Sequence, residues 1–206
     1  MWVSIGVAIL VGYLLGNLNG AVIVSKLMHD DVRKHGSGNA GLTNFIRNYG
    51  TGKALLVIGI DAGKTVLACL IGGLLLKTYG KWLDGAAFGG AAVMVGHAFP
   101  VFLHFKGGKG ILSGLFVALC VDWRIAVFIL AVFLVAYLPT MYVSLGSVLG
   151  SLGFAAGFII FHHDNPTVMI LGIFMGLLAA ALHWQNIIRL VTGKERKTNL
   201  FKKSKE

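Results

Sequence analysis

Charge is scarce in this sequence: 13% of its 206 residues are Asp, Glu, Lys or Arg, about half the share of a soluble globular domain. That shortage argues against a soluble enzyme. Acids are the scarcest, 8 against 18 basic residues. Both cysteines, Cys69 and Cys120, lie in apolar runs, so neither a disulfide framework nor a thiolate metal site is indicated. With only 3 prolines there is no Pro-rich linker, and no Ser-rich linker or internal repeat interrupts the chain. What fills it is apolar: 56% of residues are hydrophobic and the mean hydropathy is +0.80. One membrane span takes about 20 residues. The length therefore holds six or seven spans and no separate soluble domain, and residues 1–206 read as one polytopic domain.

Apolar segments cover residues 2–24, 54–76, 85–103, 111–121, 125–142, 145–161 and 167–184. The expected fold is an all-α integral membrane protein with about seven transmembrane helices. The fourth segment has only eleven residues before Asp122, too short to cross about 30 Å of hydrocarbon; a re-entrant piece there would lower the count to five or six. No Lys or Arg precedes the first apolar run and no small-residue cleavage site follows it, which reads as a retained span. Basic residues set the orientation. With the N-terminus outside, 14 of them fall in inside segments and 3 in outside loops, with Lys64 inside a span. The expected arrangement is therefore N-terminus outside and C-terminus cytoplasmic. The net charge of +10 belongs to the cytoplasmic face. Lys202, Lys203 and Lys205 form a tail suited to anionic lipid, and the remainder points to phosphate and not to nucleic acid.

Three inside elements carry chemistry-bearing residues. The first runs from Asp31 to Arg47 and contains Gly36, Ser37, Gly38, Asn39, Gly41, Thr43 and Asn44. Its glycines permit positive φ and close backbone approach, so successive amides can face an anion. Ser37 adds a hydroxyl and Arg47 a guanidinium suited to phosphate; an ordinary glycine-rich turn explains the loop equally well. The second is Lys106-Gly107-Gly108-Lys109-Gly110, with His97 just upstream. Two lysines among three glycines before an apolar segment resemble a phosphate cradle at a helix N-terminus, the alternative being a flexible basic anchor. The third ends the last span, where His183, Asn186 and Arg189 recur at intervals of three and share one helix face. Trp184 reads as an interfacial anchor.

Other polar residues are less informative. Asp61 and Lys64 inside the second span neutralise each other, either as a functional pair or as a structural one. Gly63-Lys64-Thr65 ends like a nucleotide-binding loop, but Ile58 stands where its first glycine is required, so ATP binding is rejected. His162, His163 and Asp164 lie on the opposite face without a further nitrogen or sulfur ligand nearby, so no metal is expected.

Taken in this order, the three inside elements resemble the bacterial acyl-phosphate:glycerol-3-phosphate acyltransferases, the PlsY family. The resemblance is carried by Asp31-Val32-Arg33 with Gly36-Ser37-Gly38-Asn39 and Thr43-Asn44 to Arg47, by Gly96-His97 and Pro100 through Gly110, and by His183, Asn186, Arg189, Gly193 and Glu195. Leu42 stands where alanine is usual, Thr65 where glycine is usual, and Trp184-Gln185 replaces a charged pair. The resemblance implies a bacterial inner-membrane enzyme with its active site at the cytoplasmic face. It would move a fatty acyl group from acyl phosphate to the 1-hydroxyl of glycerol 3-phosphate, releasing lysophosphatidic acid and phosphate, without cofactor or metal. Its partners would be those two substrates, membrane lipid and the enzyme that makes acyl phosphate. Ser37, Arg47, Lys106, His183 and Asn186 would be catalytic. Gly36, Gly38, Asn39, Thr43, Asn44, His97, Gly107, Gly108, Lys109 and Gly110 would bind substrate.

The residues fit that chemistry. Acyl phosphate is already activated, so positioning and charge stabilisation matter more than a protein nucleophile. The sequence accordingly lacks a Gly-x-Ser-x-Gly elbow and any histidine followed five residues later by aspartate. A transporter for organic phosphate anions is the competing class, but it calls for symmetry-related broken helices at the midplane, and no repeat is present. An acyltransferase using a thioester donor is a third reading, against which stands the absence of a soluble docking domain.

Overall fold

A computed structural model describes residues 1–198, and every regular element among them is helical. Ten α-helices follow in chain order: α1 Trp2–Gly16, α2 Gly20–Leu27, α3 Leu42–Tyr49, α4 Ala54–Lys77, α5 Trp82–Ala98, α6 Ile111–Val121, α7 Trp123–Thr140, α8 Val143–Phe161, α9 Pro166–Ala181 and α10 Trp184–Val191. Short 3-10 turns occupy Val32–Lys34 and Val101–Leu103. The lysine tail at 202–205 lies outside the described residues.

All seven expected apolar segments are helical, but they are not seven equal spans. Five stretches are long and apolar enough to cross a membrane: Trp2–Leu27, Ala54–Lys77, Trp82–Leu103, Trp123–Thr140 and Val143–Phe161. A sixth exists if α9 and α10, bent by 52°, count as one broken span. The fourth segment, α6, has 11 residues, about 16 Å of helix, roughly half a bilayer core. Large apolar side chains such as Leu74, Val135 and Ile170 are exposed on the bundle's outside, as lipid-facing positions are.

Glycine lets α1, α4 and α5 approach backbone to backbone, a means of helix association in an apolar solvent. A Cβ on Gly72 would sit 2.1 Å from Gly85 O, and one on Gly96 would sit 2.2 Å from Tyr13 O. A second set, α6 to α9, packs around Phe154, Phe158, Ile125, Val168 and Met175.

The first apolar run, expected as one span over 2–24, is broken at Asn17-Leu18-Asn19. Breaking a helix at membrane depth frees carbonyls on one side and amides on the other, and each needs a partner. Asn19 Oδ1 accepts from Val22 N at 3.0 Å, capping α2. Lys64 Nζ donates to Leu18 O at 2.7 Å and lies 3.4 Å from Gly16 O, closing the end of α1. Asp61 Oδ1 accepts from Gly20 N at 3.1 Å, opening α2. Each charge sits at the favourable end of a helix dipole, and the two pair at 2.7 Å. The sequence left this pair open between a functional and a structural role, and the structure gives it this structural one.

Candidate active site

A cavity of about 590 Å³ opens among the basic loops and extends between α6, α7, α8 and α9. Its upper wall is polar: Ser37, Thr43, Asn44, Arg47, His97, Lys109, His183, Asn186, Arg189 and Glu195. Its lower wall is apolar, with Leu115, Ile129, Leu130, Phe133, Phe154 and Met175, interrupted by Ser144, Ser147 and Ser151 on α8. One space thus joins a cationic compartment to a hydrocarbon-like one.

The first basic loop is wrapped around a single side chain. Asn44, 2% exposed, donates through Nδ2 to Val32 O, His35 O and Asn39 O, and its Oδ1 accepts from Ser37 N at 3.0 Å. Gly36 meets that carbonyl with φ +61°; a Cβ there would be 2.4 Å from Asn44 Oδ1. Asn44 therefore folds the loop and presents Ser37 to the cavity. Two carboxylates brace the rim: Asp31 Oδ2 pairs with Arg33 Nη2 at 2.7 Å, and Asp30 Oδ2 accepts from His35 Nε2 at 2.8 Å. Hydrogen bonds from the His35 imidazole, the Asp31 amide and the Tyr49 hydroxyl hold the Asp30 carboxyl down at about 2.

The second loop is anchored from behind. Gly108 N donates to His97 O at 3.0 Å. A Cβ on Gly107 would lie 2.0 Å from His97 O, and one on Gly108 would lie 2.2 Å from His97 Nε2. These glycines are required by close packing on α5. His97 itself is fixed by Lys64, whose ammonium donates to Nδ1 at 2.8 Å and so leaves the ring proton on Nε2. Irregular backbone at membrane depth is tolerated where it lines a cavity, and this loop replaces the missing half of α6. It carries Lys109 into the cavity, half-buried, where burial and then the neighbouring Arg189 push its pKa down to about 8, against the opposing pull of Glu195.

The last helical pair supplies the facing wall. His183 sits at the bend between α9 and α10, buried, with Nδ1 2.7 Å from Ala179 O. That bond requires a proton on Nδ1 and leaves Nε2 as the acceptor in the neutral ring. Asn186 Oδ1 accepts from Lys109 Nζ, and its Nδ2 donates to Glu195 at 3.3 Å. Glu195, 4% exposed at its side chain, also pairs with Arg189 Nε at 2.9 Å. Beyond it, residues 194–198 cross above the cavity. Arg47 donates through Nε to Thr198 Oγ1 at 2.8 Å and through Nη2 to Arg196 O at 3.4 Å. Thr198 N donates to Met141 O at 2.9 Å, and Tyr137 OH donates to Thr198 O at 3.0 Å.

Of the residues expected at the site, the structure brings Gly36, Ser37, Asn39, Thr43, Asn44, Arg47, His97, Lys109, Gly110, His183 and Asn186 to one cavity. Gly38, Lys106, Gly107 and Gly108 do not line it, and Lys106 is exposed. Arg189 and Glu195, quoted only as part of a motif, belong to the wall, as do Arg196 and Asn48. Their signal was the helical spacing from Asn186 to Arg189; the fold of 194–198 back over the cavity had none.

A multi-spanning helical protein that meets lipid on its outside and sets cations, a hydroxyl and an imidazole at the end of an apolar cavity is a membrane acyltransferase in class. A family model described as glycerol-3-phosphate acyltransferase matches residues 6–193, and the chain belongs to that family. A glycerol-3-phosphate acyltransferase of Thermoanaerobacter sp. (strain X514) is 39% identical over 189 residues, 91% of this chain and 92% of that one. One of Finegoldia magna is 37% identical, covering 91% and 93%. The crystal structure of PlsY (YgiH), an integral membrane glycerol 3-phosphate acyltransferase, in its glycerol 3-phosphate form matches with TM-score 0.84 at 33% identity, covering 97% of this chain and 100% of that one.

Proposed function

We propose that this chain, acting as one domain, transfers a fatty acyl group from acyl phosphate to the 1-hydroxyl of glycerol 3-phosphate, yielding lysophosphatidic acid and phosphate. The observation that carries this reading is the continuity of the cavity, which offers an apolar wall for the chain and a cationic one for two phosphates. The glycerol hydroxyl oxygen attacks the acyl carbonyl, a new ester C–O bond forms, and the carbon–oxygen bond to the departing phosphate breaks. His183 Nε2, or the leaving phosphate, accepts the hydroxyl proton. Arg47 and Lys109 neutralise the phosphates, with the Ser37 hydroxyl as a further donor. Asn186, held by Glu195, orients the ammonium of Lys109. Lys106, outside the cavity, steers anions toward the mouth.

The lopsided distribution of basic loops supports an outside N-terminus, a cytoplasmic C-terminus and an active face toward the cytoplasm of a bacterial inner membrane. An enzyme producing acyl phosphate would supply the donor. Purified protein in detergent with acyl phosphate and glycerol 3-phosphate should release phosphate and form lysophosphatidate in equal amounts. Product from a thioester donor but none from acyl phosphate would overturn the donor assignment. An acyl-enzyme trapped on Ser37 would overturn direct transfer.

A further inference from the structure

Of the eight residues of α10 only Asn186 is buried. One side of this helix is polar and faces inward, where Asn186 and Arg189 line the cavity. The other side is apolar and is left open by the described residues: Trp184, Ile187, Ile188 and Val191 are 58%, 39%, 51% and 83% exposed. At the helical repeat these four fall within one arc of about 100°, on the side away from Asn186.

Lipid is the occupant that the surroundings specify. Ile170, Phe174 and Leu177, spaced four and three apart and exposed on α9, belong to the lipid-facing outside and lead to Trp184 across the bend. Depth agrees. α9 has 16 residues, about 24 Å of helix, short of the roughly 30 Å hydrocarbon core. α10, about 12 Å long and turned by 52°, extends an upright α9 by about 7 Å. Its apolar side thus reaches the boundary between acyl chains and headgroups, into which amphipathic helices sink by about 5–10 Å. Trp184 at its start suits that boundary, and Lys194, exposed just past its end, suits phosphate headgroups.

On the protein side α10 is held by few bonds. Asn186 meets Lys109 and Glu195, and Arg189 meets Glu195, which itself lies beyond the helix. We propose that α10 is an interfacial helix whose Trp184, Ile187, Ile188 and Val191 are seated in the lipid boundary, and that this seat positions Asn186 and Arg189 in the cavity wall. The inference rests on the acyl-transfer reading above and adds the outside contact that holds its site. Ile188 and Val191 do not line the cavity; they are positioning residues. A detergent micelle covers the same apolar side, so transfer proceeds in either medium.

The test uses the purified full chain in phosphatidylcholine nanodiscs. Lipid chains brominated near the headgroup should quench the emission of Trp184, read as the difference between wild type and Trp184→Phe, and chains brominated near their ends should quench it less. Ile188→Ser combined with Val191→Ser should weaken that quenching and lower kcat/KM for glycerol 3-phosphate by about tenfold to a hundredfold, as a misplaced wall would, with Tm unchanged. Val191→Ser alone, at the most exposed of the four, should act in the same direction and guards against a folding failure. Leucine at both positions should keep quenching and turnover near wild type. A Trp184 that brominated lipid does not reach would overturn the lipid seat in favour of protein cover, as by a second copy of this chain. Full turnover of the double serine variant would overturn the positioning role. A wild type that uses no acyl phosphate would overturn the acyl-transfer reading and the positioning role with it, whereas the quenching still decides the lipid seat.

Discussion

Two groups of polar side chains sit at membrane depth in this bundle, and they are built on opposite plans. Around Lys64 the set is closed: the ammonium's three protons meet Asp61 Oδ1, Leu18 O and His97 Nδ1, and the carboxylate of Asp61 also holds the Gly20 amide. Around Lys109 the set is open: Asn186 links Lys109 to Glu195, Glu195 pairs with Arg189, and with Arg47, which is held by Thr198, they line a cavity of about 590 Å³. A buried charge must be paired, and removing one partner costs more than the pair contributes. The closed set therefore holds helices. The open set keeps its cations available to an anion.

The sharpest way to break the comparison is within the closed set. Asp61→Asn leaves Lys64 buried and uncompensated and should cost about 3–5 kcal/mol of stability, seen as a large fall in Tm of the detergent-solubilised protein. Replacing both Asp61 and Lys64 by leucine should not restore it, because Gly16 O, Leu18 O and Gly20 N would lose their partners; a recovered Tm would contradict the capping role. In the open set, Glu195→Gln weakens the charge-assisted bonds that hold Arg189 and Asn186, each worth about 1.5–3 kcal/mol. It should lower kcat/KM for glycerol 3-phosphate by roughly tenfold or more while moving Tm little. A Tm loss matching that of Asp61→Asn would erase the distinction.

The pH profile separates the sets further. Lys109, with its pKa pushed down to about 8, is cationic below that value and neutral above it. kcat/KM for glycerol 3-phosphate should therefore fall as pH rises through about 8. Lys109→Arg, which stays charged, should remove that fall if the variant is active, and a wild-type profile flat to pH 9 would count against Lys109. The smallest effect is expected for Lys106→Ala. An exposed cation outside the cavity should alter kcat/KM by only a fewfold, and the difference should shrink as salt is raised.

Much of this was legible in the sequence. Seven apolar runs gave the apolar helices but not α3, which lies in none of them, and the eleven residues before Asp122 already marked α6 as too short to span. Ser37, Arg47, Lys109, His183 and Asn186 were chosen by residue type and spacing, and they meet in one cavity. What was not legible depends on long-range partners. Asn17-Leu18-Asn19 sits in an apolar run that looks continuous, and only Asp61 and Lys64, more than forty residues away, make the break affordable in hydrocarbon. The two lysines of the second loop have the same local surroundings in sequence, yet the packing of Gly107 and Gly108 against His97 turns Lys109 inward and leaves Lys106 exposed. Glycines that suggested phosphate-binding amides are there partly because nothing larger fits.

The most direct measurement is the turnover of Lys109→Ala with acyl phosphate and glycerol 3-phosphate, compared with wild type at equal folded protein. Loss of one preorganised electrostatic contact to the reacting phosphates should cost about 3 kcal/mol, a drop in kcat/KM of roughly a hundredfold, with Tm preserved. A variant that keeps Tm and turns over within twofold of wild type would contradict the assignment of the open cluster as the site of transfer.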